Sequence, residues 1–186
     1  MKELNRREFI TALGMMYGSL LVVPSCTPSS VKEGYQSFTK DEADCLVALC
    51  EQLIPADEYP GATQAGVIHF IDKQLKKRFP NEIVLFKNGI AMLQAWCKTT
   101  YNQPFEKLDS ATQIAVMQKM EKNEIAVESM DISSGAFFSK LLARTMQGFY
   151  GSPRHGGNKD YISFRMMRLD YPTLIGRNRY KTNIVR

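Results

Sequence analysis

Apolar residues recur along residues 39–150 at the three- and four-residue spacing of amphipathic helices, and nothing in that stretch alternates like a strand. Thr39-Lys40-Asp41-Glu42 puts a hydroxyl at an N-cap and a carboxylate three positions on, a capping box that opens a helix with Ala43, Leu46, Leu49, Cys50 and Leu53 on its apolar face. Pro55 closes it. After the turn at Pro60-Gly61, a second helix is predicted over 62–79. It turns Val67, Ile68, Phe70, Ile71 and Leu75 inward and carries Lys73, Lys76, Lys77 and Arg78 in its last turns, where cations suit the carbonyl end. Pro80 ends it.

A third helix begins after Asn81 and carries Val84, Leu85, Ile90, Leu93, Trp96 and Cys97; Gly89 in its middle costs about 1 kcal/mol relative to Ala. Ser110-Ala111-Thr112-Gln113 predicts a second capping box, with Ile114, Met117 and Met120 along one side of the helix that follows. The last clear helix, over 134–150, carries Phe137, Phe138, Leu141, Leu142, Thr145, Met146 and Phe149, and Met117, Met120 and Met146 fit core positions. The fold expected is all-α, a single helical domain of about five main helices at 39–150 with a long irregular C-terminal segment at 151–186. At 186 residues the chain is long enough for one domain with a sizeable core.

The start is a different kind of sequence. Arg6-Arg7-Glu8-Phe9-Ile10 leads into a modestly apolar run from Phe9 to Val23, broken by Gly14 and Gly18. That run is short of the ~20 residues needed to cross a bilayer of ~30 Å, so residues 1–25 read as an export signal. The Arg6-Arg7 pair resembles a twin-arginine signal, which serves cargo that folds first; a general secretory signal is the alternative. Val23-Pro24-Ser25-Cys26 resembles a lipoprotein cleavage box in which Cys26 would be acylated, against ordinary cleavage beside an incidental cysteine. Residues 26–38, rich in Ser, Pro, Gly and Lys, would be the tether of a protein anchored to a membrane without spanning it. The expected location is periplasmic.

Charge is unevenly spread. The net charge is +5, yet residues 151–186 hold eight basic groups against two acidic ones, a local +6, so residues 1–150 sum to −1. Tyr161, Phe164, Tyr171 and Tyr180 interleave with those cations. Clustered arginines and aromatics would suit nucleic acid, but an export signal argues for a compartment with little of it. A contact strip for a larger acidic protein is the preferred reading, since Tyr and Arg anchor interfaces.

Candidate chemistry is sparse. His69 and His155 have no companion at metal-ligand spacing, and Asp57-Glu58 suits a turn better than a catalytic pair. Gly156-Gly157-Asn158 follows no predicted strand and so is no phosphate cradle. With Cys26 set aside, Cys45, Cys50 and Cys97 read as small buried residues, although a bridge from either of the first two to Cys97 stays open. No Cys-x-x-Cys-His is present to attach haem. These features predict no cofactor and no metal in this chain.

A set of local motifs carries a family resemblance. Leu53-Ile54-Pro55-Ala56-Asp57, Pro60-Gly61-Ala62, Ala65-Gly66-Val67, Phe70-Ile71-Asp72, Phe138 to Leu142, Gly148-Phe149-Tyr150 and Gly156-Gly157-Asn158, behind the twin-arginine-like start, resemble the gluconate 2-dehydrogenase subunit 3 family. The pattern differs at Phe164, where Trp is expected, and at Asp170-Tyr171-Pro172-Thr173, in place of a Gly-x-Pro-Gly end. The resemblance implies a small accessory subunit without catalysis of its own. Its partner would be a flavoprotein of the glucose-methanol-choline type that holds FAD, oxidises a sugar or alcohol and passes electrons to a cytochrome c or another acceptor. It also implies that the small subunit bears the export signal for both chains. Residues expected to meet the partner are Phe149, Tyr150, His155, Gly156, Gly157, Asn158, Tyr161, Phe164, Arg165, Tyr171 and Pro172. The alternatives are a stand-alone exported enzyme acting on sugars, with His155 and Asp160 as its candidate groups, and a structural lipoprotein.

Overall fold

The structure, a computed structural model, describes residues 34–169. Six α-helices are present among them: α1 Lys40–Leu53, α2 Val67–Lys77, α3 Ile83–Tyr101, α4 Ser110–Glu121, α5 Ser134–Tyr150 and α6 Ile162–Met166. Single turns of 3₁₀ helix at Pro80–Glu82, Phe105–Lys107, Pro153–His155 and Lys159–Tyr161 link them, and the described residues contain no strand. The all-α expectation holds. Arg6, Arg7, Cys26, Tyr171 and Pro172 lie outside the described residues, and so does most of the predicted tether.

α5 is the central helix and packs against each of the other five. Its buried residues Ser134, Phe137, Phe138, Leu141, Arg144, Thr145, Gly148 and Phe149 follow the three-and-four spacing of one helical face. Phe137 meets Phe86 of α3 edge to face, with ring centroids 5.6 Å apart. One contiguous core results, and it includes Ile162 of α6 beside residues of all the longer helices.

The start of α1 is the predicted capping box: Thr39 accepts from the Glu42 amide at 3.3 Å, and Glu42 accepts from the Thr39 amide at 2.8 Å. Two other predicted starts move. α2 begins at Val67, five residues later than its apolar pattern suggests, because residues 62–66 close successive turns that end at Gly66, whose φ is +69°. The N-cap of α4 is Asp109, not Ser110; its carboxylate accepts from both the amide and the hydroxyl of Thr112, at 3.0 and 2.6 Å. Gln113 instead turns inward and donates to the Phe105 carbonyl at 2.9 Å.

Four apolar residues expected in the core face outward: Val84, Ile114, Leu142 and Met146. Each lies beside a true core stripe rather than within it, and Phe86, Met92, Val116 and Arg144 take the inward places. Cys45, Cys50 and Cys97 are buried free thiols, as small core residues would be. Burial pushes the Cys45 thiol up, and pushes Cys50 and Cys97 to about 12. Cys50 also contacts the Thr145 hydroxyl at 3.3 Å.

Arg144 fastens α5 to the junction of α2 and α3. Its guanidinium meets the Glu82 carboxylate through Nε at 3.0 Å and Nη2 at 2.8 Å, and Nη1 donates to Gln147 at 2.7 Å. The same guanidinium lies 3.5 Å over the Phe79 ring. Burial raises the Glu82 carboxyl, but hydrogen bonds from Arg144 and Lys140 outweigh it and leave it below the usual carboxylate range. This arrangement is favoured above the ordinary glutamate range and is lost as pH falls through the lowered value.

Gly89 explains its own apparent cost. A Cβ built there would lie 2.4 Å from Cγ of Phe137, so the missing side chain is what lets that ring sit on α3. Gly89→Ala should therefore destabilise the protein by about 1–3 kcal/mol through overpacking, despite the better helix propensity of alanine. Thermal unfolding checks this, and a raised melting temperature would contradict it.

Candidate partner-docking face

The loop between α1 and α2 is shaped by one carboxylate. Glu51 accepts from the amides of Ala56 and Thr63 at 3.0 and 2.9 Å and from the Thr63 hydroxyl at 2.6 Å, drawing both ends of the loop onto α1. Asp57 accepts from the Tyr59 amide at 2.8 Å, a turn role of the kind its sequence predicts. Pro60 and Tyr59 are left at the surface, Tyr59 42% exposed.

The segment after α5 folds back onto this loop and onto α2. Lys159 donates its amide to the Ala65 carbonyl at 3.0 Å. Gln74 and Lys73 on α2 reach the His155 and Arg154 carbonyls, each at 3.4 Å. Inside, Gly157 passes so close to α5 that an added Cβ would stand 2.2 Å from the Gly148 carbonyl oxygen. Asn158 is fully buried: its side chain donates to the Gly151 carbonyl at 2.8 Å and accepts from the Ser163 amide at 2.9 Å. Asn158, Asp160 and Tyr161 all adopt positive φ, +46°, +53° and +58°, and the chain thereby turns sharply into α6.

Three of the expected contact residues therefore serve this chain instead. Phe149 is fully buried and packs edge to face with Tyr150 at 4.9 Å, while Gly157 and Asn158 form the clasp just described. The glycines permit a close backbone approach, as expected, but what approaches is α5. Tyr150 and Arg165 are exposed; His155, Gly156, Tyr161 and Phe164 are half-buried, and the last two rings lie 6.1 Å apart. The segment is thus helical in short pieces.

Where the α1–α2 loop meets α6, Tyr59, Pro60, Ile162, Arg165 and Met166 line an open cavity of about 380 Å³. Exposed Met167, Arg168 and Leu169 follow directly on α6. Tyr59, Met166, Met167 and Leu169 were not singled out from the sequence. The available signal was the aromatic beside Pro60 in a loop whose apolar residues follow no helical period.

The candidate groups of the enzyme reading are not joined into a site. Nε2 of His155 accepts from Nε of Arg154 at 3.1 Å, which suits a neutral ring; burial, then the charges of Arg154, Arg78 and Lys73, lower its proton affinity below the ordinary value of 6.5. His69 is exposed and stacks on Tyr35 at 5.6 Å. Among the described residues, no three His, Cys, Asp or Glu side chains are grouped to hold a metal ion, and no helix is long and apolar enough to cross a membrane.

The described residues form a helical domain whose two distant loop segments converge on one partly apolar face. The family profile described as Gluconate 2-dehydrogenase subunit 3 matches residues 40–170, and the chain belongs to that family of dehydrogenase-complex subunits. No curated protein and no solved structure matches the chain.

If the Gly148–Gly157 approach holds the C-terminal segment down, Gly157→Ala should release it while the longer helices stay folded. Limited proteolysis should then cut within residues 152–166 at least about tenfold faster than in the parent, with little change in far-ultraviolet circular dichroism. Equal cleavage rates would show that the segment is held elsewhere.

Proposed function

We propose that this chain is the non-catalytic small subunit of a periplasmic flavin-dependent sugar or alcohol dehydrogenase, required for assembly and twin-arginine export of the FAD-containing catalytic subunit. The observation that carries the reading is the convergence of residues 54–62 with 156–169 around the 380 Å³ cavity, within a chain of the subunit 3 family. Tyr59, Pro60, Arg165, Met166 and Met167 offer aromatic, aliphatic and guanidinium groups at one place, the composition of interface anchors. FAD lies in the partner, which performs substrate oxidation; electrons leave to a cytochrome c subunit or another acceptor. Arg6 and Arg7 address the folded pair for export, and Cys26 carries the lipid that keeps it at the membrane.

Tyr59→Ala and Arg165→Glu should each weaken association with the flavoprotein by about tenfold or more, as loss of an interface anchor does. Both residues are exposed, so the melting temperature of the isolated chain should stay within ~2 °C. Unchanged affinity in both variants would move the interface elsewhere.

The export role has its own test. Replacing Arg6 and Arg7 together by Lys should leave both this chain and the flavoprotein in the cytoplasm, as read by cell fractionation. A flavoprotein that still reached the periplasm would refute the carrier role.

A further inference from the structure

Two basic clusters far apart in sequence meet in the fold. Lys73, Lys76, Lys77 and Arg78 close α2, and the C-terminal segment lays Arg154 beside Lys73, with Lys159 held at the other end of the helix by Ala65. Nζ of Lys73 reaches the Arg154 carbonyl at 3.4 Å, and the charges of Arg154, Arg78 and Lys73 all bear on His155. Five cations elsewhere on the domain pair with carboxylates, Lys40 with Asp44, Lys87 with Glu42, Lys119 with Glu124, and Lys140 and Arg144 with Glu82, while Lys98, Lys107, Lys122, Arg165 and Arg168 lie on other elements without such a pair among the described residues. None of the five cations of this arc, Lys73, Lys76, Lys77, Arg78 and Arg154, lies in an ion pair with a described residue.

The nearby carboxylates do little to offset this charge. Asp72 on α2 is buried and accepts from the amides of Gln36 and Ser37 at 2.9 and 2.7 Å. Asp44 is held by Lys40 at 2.6 Å, and the exposed Asp160 adjoins Lys159.

The same helix receives the N-terminal end of the domain. Tyr35 stacks on His69, one turn before Lys73 on the same face, and Gln36 and Ser37 are clasped by Asp72. From Gly34 back to Cys26 the chain can reach at most about 27 Å. An acyl group on Cys26 would thus keep the lysine-rich arc within a few Debye lengths of a bilayer.

We propose that the arc of Lys73, Lys76, Lys77, Arg78 and Arg154 binds an anionic phospholipid surface, setting how the anchored subunit faces the membrane. Lysine is depleted from protein interfaces and works well as a hydrated point charge against lipid headgroups, which favours lipid over an acidic protein here. The physiological setting rests on the reading of Cys26 as lipidated. The surface chemistry does not.

The test uses the mature chain from residue 26 onward with Cys26→Ser, so that no acyl group contributes, sedimented with vesicles of phosphatidylcholine alone or with phosphatidylglycerol added. Binding should require phosphatidylglycerol and fall with salt. Each cation near an anionic surface strengthens binding about fivefold, so combined Lys76→Gln, Arg78→Gln and Arg154→Gln should weaken it about a hundredfold. The charge-matched control Lys98→Gln, Lys107→Gln and Lys122→Gln should change it less than about fivefold. Equal losses in the two triple variants, or equal binding to both vesicle types, would overturn the proposal; so would an arc variant that keeps vesicle binding and loses the flavoprotein. Mass spectrometry of cell-derived protein reads lipidation separately: an unmodified Cys26 would remove the anchor without touching the vesicle result.

Discussion

The architecture turns on the backbone contact between Gly148 of α5 and Gly157 of the returning segment. Gly148 also faces Val67 and Phe70 of α2, where an added Cβ would stand 3.1 and 3.0 Å from their side chains. One residue without a side chain thus lets the central helix meet two elements at once. Everything that shapes the candidate face follows from that proximity: Lys159 can bond Ala65, Asn158 can bond Gly151 and Ser163, and α6 arrives beside Pro60. A methyl group at this contact would have to push two backbones apart, and packed interiors absorb such a change poorly.

The charges divide the molecule. The Glu82, Lys140 and Arg144 group spends its charge internally, tying α5 to the turn before α3, and the bidentate geometry with the Phe79 ring beneath makes the buried guanidinium tolerable. Around α2 and the C-terminal segment the cations remain unpaired among the described residues. Charge there that no described carboxylate neutralises leaves a field available to something outside. That patch is joined from two stretches of sequence that composition could only report separately.

The helical body was legible in the sequence because each long helix repeats its apolar stripe several times and begins or ends at Pro, Gly or a capping residue. The capping box at Thr39 is a purely local arrangement, and it appears as predicted. Asp109 took the place expected for Ser110 because its carboxylate could reach both donors of Thr112, a choice between neighbouring caps that spacing does not decide. Leu142 and Met146 look inward by period, yet Arg144 occupies the buried position because Glu82, Gln147 and Phe79 surround it. The candidate face was half legible. The glycines correctly marked a close approach, but a single sequence could not say that the approaching group was α5, nor that the loop at Pro60 would face α6.

We propose that residues 54–62 and 156–169 form the surface that meets a flavoprotein. Hydrogen–deuterium exchange of this subunit, alone and bound to its purified flavoprotein, tests it most directly. Added protection should concentrate at residues 56–61 and 160–169, with α4 unchanged. Protection confined to α4, or a subunit that binds no flavoprotein, would contradict it.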